Sequence, residues 1–172
     1  NPTTTEYDPV LGLPVAVTDA LGNTTTYSYD ILGQLTRITY PDGSYHSYQY
    51  DANQRVVGTV NQLGLTTRME YDGNGNIISI TDEDAEGETR EYTFVYDQNN
   101  RLIGTVDPMG GVKAYEYDAV GNLLKQTDEE NHDTSYTYDP AGRLQEVKDA
   151  LGNVVSSQYD KNGNLLASTD AN

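Results

Sequence analysis

Along the chain, apolar and aromatic positions come in short runs of about five or six residues and stop at clusters of Asp, Asn, Gly and Pro. One kind of run alternates cleanly. In Asp133 to Tyr138 (DTSYTY) the rings of Tyr136 and Tyr138 stand two apart, which puts both on one face of a strand. The other kind, such as Asn122 to Thr127 (NLLKQT), alternates less well. Its second apolar position lies three residues after the leucine position in Ile38, Ile80 and Val147 but four after it in Val60 and Val106; a bulge in some copies would reconcile the two spacings. No segment keeps a 3.6-residue period, and the runs are too short for helices, so the pattern predicts strands throughout.

The breaks have a grammar of their own. Asp30-Ile31-Leu32-Gly33, Asp118 to Gly121, Asp139 to Gly142 and Asp160 to Gly163 place Asp first and Gly fourth, the preference of a type I turn. Pro140 sits second, where its fixed φ fits. A companion set, Asp19 to Gly22, Asp107 to Gly110 and Asp149 to Gly152, follows the same rule. The chain therefore reverses at both ends of every pair of runs.

The reversals are periodic. Tyr-Asp occurs at Tyr7-Asp8, Tyr29-Asp30, Tyr50-Asp51, Tyr71-Asp72, Tyr96-Asp97, Tyr117-Asp118, Tyr138-Asp139 and Tyr159-Asp160, at intervals of 22, 21, 21, 25, 21, 21 and 21 residues. Such regularity in 172 residues defines a repeat, and the repeat governs how every local motif is read. The expectation is an all-β fold of tandem β-hairpins forming a continuous curved antiparallel sheet, an open arc or spiral. Residues 1–172 form a single array of about eight units of 21 residues, cut at both ends, because the sequence stops partway through a unit at STDAN. The matching tyrosines would stack as a ladder across the sheet. At about 4.8 Å per strand, some sixteen strands make a sheet roughly 75 Å wide. Rolled closed, it would form a ring about 24 Å across, too narrow for a 100-residue domain of about 34 Å. Open strand edges at the two ends favour end-to-end self-association.

Composition narrows the function classes. Tyrosine supplies 15 of 16 aromatics, a residue suited to a half-wet sheet, and 35% hydrophobic content allows only a thin core. A formal charge of -17 disfavours nucleic acid and anionic surfaces as partners. There is no cysteine, which excludes disulfides and thiolate metal sites. Asn1 to Asp8 carry no basic or apolar leader pattern, and no run of 18 apolar residues marks a membrane span.

The candidate chemistry is sparse. Asp72 to Asn76 with Glu83 matches part of an EF-hand loop, but Ile77 stands where the loop needs Gly. The acidic stretch from Asp82 to Glu88 makes Asp82, Asp84 and Glu86 weak Ca²⁺ candidates beside the simpler reading of a solvated loop. His46 and His132 lack partners at zinc-site spacing, and Ser135 faces away from His132 on a strand, so no catalytic residue and no cofactor are expected. Tyr138 to Leu144 (YDPAGRL) clusters an acid, a base and a tyrosine. The position of Arg143 is nevertheless Asn122 and Asn164 in neighbouring units, which argues against both a general base and a charge clamp. The residues that matter are structural: Tyr29, Asp30, Gly33, Tyr50, Asp51, Tyr71, Asp72, Tyr96, Asp97, Tyr117, Asp118, Gly121, Tyr138, Asp139, Gly142, Tyr159, Asp160 and Gly163. A tyrosine-lined sheet with acidic loops also suits a second class, a surface adhesin or an array binding carbohydrate or protein on another cell.

The unit Y-x-Y-D-x-x-G-[NR]-L at a 21-residue spacing, written here as YSYDILGQL, YEYDAVGNL and YTYDPAGRL, resembles the YD repeat of the RHS family. That family includes bacterial RHS toxins, the C component of Tc toxin complexes, wall-associated proteins of Gram-positive bacteria and teneurins. The resemblance implies a secreted or cell-surface, non-enzymatic structural segment. Its partners would be the rest of a β-sheet shell and a C-terminal toxin or effector enclosed by that shell in the full-length parent. Gln54 and Asn100 depart from the turn glycine, and Met69 from the first tyrosine. Asn100 tolerates a left-handed backbone, whereas Gln54 implies a different local turn.

Overall fold

The computed structural model describes residues 2–170, and every regular element in them is a β-strand. The chain divides into two compact units between Glu91 and Tyr92. The first holds β1 (Thr4–Tyr7), β2 (Pro14–Thr18), β3 (Thr24–Tyr29), β4 (Leu35–Thr39), β5 (Tyr45–Tyr50), β6 (Val56–Val60), β7 (Thr66–Tyr71) and β8 (Ile77–Glu83). β9 (Thr89–Tyr96) carries the division. The second continues with β10 (Leu102–Val106), β11 (Val112–Tyr117), β12 (Leu123–Thr127), β13 (Asp133–Tyr138), β14 (Leu144–Lys148), β15 (Val154–Tyr159) and β16 (Leu165–Thr169). Within each unit the strands lie in chain order, each antiparallel to its neighbours. The all-β hairpin architecture expected from the turn grammar is the one observed.

Apart from the Asp8–Leu13 reversal, which is one residue longer, each reversal is a three-residue loop, a type I turn closed by one left-handed residue. Asp30 accepts the Gly33 N–H at its carbonyl (3.1 Å), and its own N–H donates to Gln34 O (2.9 Å). Gly33 takes φ = 79°, a conformation cheap only without a Cβ. Gln54 corrects the sequence reading: with φ = 65° it forms the same turn, donating to Asp51 O at 3.0 Å, instead of a different one. The Asp51 frame imposes the left-handed conformation and Gln54 bears its strain. Asn100 (φ = 60°) and Asn131 (φ = 63°) fill the same slot.

The bulge expected in some copies occurs beside the tyrosine of every Tyr-Asp hairpin. Tyr29 pairs with Leu35 but Ser28 with Arg37, leaving Thr36 as the extra residue. The same two-for-one step follows Tyr50, Tyr71, Tyr96, Tyr117, Tyr138 and Tyr159. A bulge therefore does not explain the two apolar spacings. Register is constant, so Ile38 and Thr59 occupy equivalent places opposite Tyr27 and Tyr48, while Val60 and Val106 lie one residue on, facing the other side.

That register sorts the two faces. Tyr27 with Ile38, Met69 with Ile80, and Tyr136 with Val147 are cross-strand pairs on one face; Gln49 with Gly58, Glu70 with Ser79, and Thr137 with Glu146 lie on the other. Within each unit the strands form one sheet. Among the described residues no apolar side chain is fully buried, and Ser79, 8% exposed, is the buried polar one. The fold is therefore held by strand pairing and by what links one hairpin to the next.

Candidate functional site

The repeating chemical feature is the aspartate turn. Asp139 Oδ1 accepts the N–H groups of Ala141 (2.9 Å) and Arg143 (3.0 Å), and Asp160 Oδ1 those of Asn162 and Asn164 (both 2.8 Å). The carboxylate thus satisfies donors that the tight loop cannot offer to a strand. Oδ2 takes the side chain at the fifth turn position: Arg143 Nε at 2.7 Å for Asp139, Asn164 Nδ2 at 2.8 Å for Asp160. These bonds favour the ionised form. The Arg143 side chain first, then its backbone N–H, hold the Asp139 carboxyl below the usual aspartate value; Asn164 does the same for Asp160.

In five of the Tyr-Asp units the tyrosine points its hydroxyl at the preceding hairpin, and Tyr29 Oη donates to Pro14 O (2.9 Å). Tyr50 Oη donates to Leu35 O (2.8 Å), Tyr71 to Val56 O (2.7 Å), Tyr138 to Leu123 O (2.9 Å) and Tyr159 to Leu144 O (2.9 Å). The register explains the need. Pairing of β4 with β5 runs from Thr39↔Tyr45 to Arg37↔Ser47 and stops there, so the Leu35 carbonyl lies beyond the paired residues, and the phenol bridges the gap. The expected ring-stacked ladder is thereby corrected: hydroxyl-to-carbonyl bonds across the intervening strand link successive tyrosines. Among the described residues the aromatic pair in contact is Tyr40 with His46, edge to face at 5.7 Å.

Arginine adds a second link at alternate junctions. Arg55, Arg101 and Arg143 each grip their own aspartate through Nε and Nη2 or Nε alone, at 2.6 to 2.8 Å. Nη1 reaches the backbone carbonyl of the next turn's aspartate, Asp72 at 3.4 Å, Asp118 at 2.7 Å and Asp160 at 2.7 Å. The guanidinium carbons lie 4.3, 4.9 and 4.8 Å from the ring centroids of Tyr71, Tyr117 and Tyr159. Arg143 is therefore a charge clamp after all, one that holds the fold. The variation of its position is order: Gln34, Arg55, Asn76, Arg101, Asn122, Arg143, Asn164 alternate arginine with an amide. The tips of the companion turns, Leu21, Asp42, Leu63, Glu86, Met109, Glu130 and Leu151, alternate apolar with acidic in the same phase. A two-hairpin period was legible in the sequence, but only to a comparison of every second unit.

The other candidates are distributed differently. Asp82 accepts the Thr67 hydroxyl at 2.6 Å, Asp84 Oδ1 accepts the N–H groups of Glu86 and Glu88 as a turn aspartate, and Glu83 pairs with Arg68 at 2.7 Å. Among the described residues, no three His, Asp or Glu side chains are placed to hold a metal ion. His46 Nδ1 lies 3.0 Å from Tyr40 Oη, and His132 pairs with Asp128 at 3.3 Å. Ser135 sits opposite Lys125 and Lys148 on neighbouring strands. No helix of the described residues is long and apolar enough to cross a membrane.

Comparison with known proteins places this geometry. The profile of the Teneurin YD-shell family matches residues 13–159. Double-stranded DNA deaminase toxin A of Burkholderia cenocepacia (strain H111) is 32% identical over 82 residues, covering 42% of this chain and 6% of the toxin. Among solved structures, TcdB2-TccC3 without the hypervariable C-terminal region superposes with a TM-score of 0.59 at 16% identity, covering 98% of this chain and 11% of that one. TcdB2-TccC3-TEV gives 0.52 at 17% identity with the same coverages. The chain thus spans a small part of each relative, and the solved structures share its fold.

Proposed function

Because the chain belongs to the Teneurin YD-shell family, whose profile covers residues 13–159, we propose that it is a non-enzymatic wall segment whose full-length parent encloses or presents a C-terminal effector outside the cell. One observation carries this reading: the tyrosine hydroxyl of one hairpin closes a hydrogen bond on the strand fifteen residues earlier, in repeat after repeat. A recurrent polar contact of the unit thus goes into joining hairpins, which is the work of a wall. The match to a segment of a toxin 6% covered by the alignment supports an effector elsewhere in the parent. Limited trypsin digestion of the full-length parent tests it. The C-terminal segment should resist cleavage until denaturant unfolds the repeats. Cleavage at the rate of the isolated segment, with the repeats still folded, would overturn the enclosure.

A further inference from the structure

The arginine junctions define a receptor for a guanidinium group. It consists of one aspartate Oδ2, the tyrosine ring of the next hairpin and the backbone carbonyl of the next aspartate. The junction after Asp118 repeats all three groups, as Asp118 Oδ2, the Tyr138 ring and the Asp139 carbonyl, but its fifth turn position is Asn122. Asn122 Nδ2 bonds Asp118 Oδ2 at 2.8 Å, and its side chain is too short to go further. Beyond it lies a cavity of about 330 Å³, lined by Asp118, Asn122, Tyr138, Asp139 and Pro140, with Leu124 among its apolar walls.

The acceptors keep capacity. In the filled junction the Asp160 carbonyl takes two donors, the Gly163 N–H at 3.1 Å and Arg143 Nη1 at 2.7 Å; its counterpart on Asp139 takes the Gly142 N–H at 2.9 Å. Asp139 Oδ2 accepts both Nε and Nη2 of Arg143, whereas Asp118 Oδ2 accepts Asn122 Nδ2. A carbonyl or carboxylate oxygen has two lone pairs, so each has room for one more donor.

We propose that the Asn122 junction is a binding site for a guanidinium cation supplied from outside the turn. Asp118 is the ion partner, Tyr138 offers its ring face, and the Asp139 carbonyl takes the remaining arm. The planar fork of a guanidinium reaches acceptors lying in different directions at once, which a point-like ammonium does not. The excess of acid on the chain, -17 overall, favours its approach. The site accepts the group either as a free guanidinium compound or as an arginine side chain on a polypeptide.

The test is a titration of the ¹⁵N-labelled chain with N-acetyl-arginine amide at low ionic strength, read by NMR. Amide shifts at Asn122 and Asp139 should saturate with a dissociation constant on the order of 1 mM, while N-acetyl-lysine amide binds severalfold more weakly. Asn122→Arg should fill the site from within and abolish the shifts. Should that variant fail to fold, Asn122→Ala, which leaves the three receptor groups in place, should retain them. Shifts that never saturate, equal shifts at the filled Arg101 junction, binding that survives Asn122→Arg, or binding lost in a folded Asn122→Ala would each overturn the assignment. A peptide with one central arginine separates the sources. Tenfold tighter binding than the arginine amide assigns the site to a polypeptide, and equal binding assigns it to a free compound; both support the site.

Discussion

At the scale of single residues, the tyrosine hydroxyl and the left-handed turn position make separable contributions. Tyr138→Phe keeps the ring and removes only the bond to Leu123 O, in a half-buried place where water replaces it poorly. A loss of about 1 kcal/mol is expected from urea unfolding, and an unchanged midpoint would mean that the hydroxyl does not tie hairpins together. Gln54 bears the opposite kind of effect. A side chain at φ = 65° strains the backbone, so Gln54→Gly should stabilise the chain by about 0.5–1 kcal/mol despite the entropy that glycine adds to the unfolded state. The same substitution in an extended strand would destabilise it. A Gln54→Gly variant less stable than the parent would show that the Gln34 side chain, which donates to Gln54 O at 3.3 Å, depends on Gln54 in some further way.

At the scale of the hairpin, the clamp distinguishes one junction from the next. The Arg101–Asp97 pair is 26% and 20% exposed, too sheltered to be discounted as a surface ion pair and still wet enough to avoid the cost of a buried one. Arg101→Ala removes a charge-assisted bond to Asp97, the bond to Asp118 O and the contact with the Tyr117 ring. The expected loss is about 1.5–2 kcal/mol, and Arg101→Lys should recover less than half of it, because a lysine lacks the fork. Equal stability of the Lys variant and the parent would reduce the clamp to simple charge. This scale also shows what the sequence could and could not reveal. Strands, turns and period were legible because Asp and Gly act locally, within four residues along the chain, and Tyr recurs beside them at a fixed spacing. The clamp was not, because Arg143 and Tyr159 meet across sixteen residues of sequence, and variation at the arginine position looked like indifference to identity. The bulge was half legible: it is present, but the two spacings of Ile38 and Val60 reflect which face the apolar residue takes and not the bulge itself.

At the scale of the molecule, the described residues include no buried apolar centre, so stability is distributed among neighbouring hairpins, and the turn aspartates are the groups that every Tyr-Asp hairpin shares. Turn aspartates with folded-state values below the ordinary 3.8 include Asp51 and Asp97, chiefly through the backbone N–H of the following arginine, Asp139 through the Arg143 side chain, and Asp19, Asp72 and Asp160 through an asparagine side chain. A depressed carboxylate contributes stability that is present in full above its unfolded value and is lost as pH falls through the folded one. Acid should therefore weaken many turns together, in the window from the ordinary aspartate value downward. A second effect opposes this one. Protonation also relieves the repulsion behind a net charge of -17, which raises stability as pH drops from 7. The two differ in range. At about 0.15 M salt the screening length is about 8 Å, which mutes repulsion between distant charges but leaves bonds under 3 Å intact. The melting temperature in physiological salt should thus stay level from pH 7 to about 5 and fall steeply below about 4. In about 10 mM salt it should first rise and then fall at the same place. A melting temperature that climbs steadily to pH 3 in physiological salt would show that repulsion governs this wall and that its aspartate turns do not.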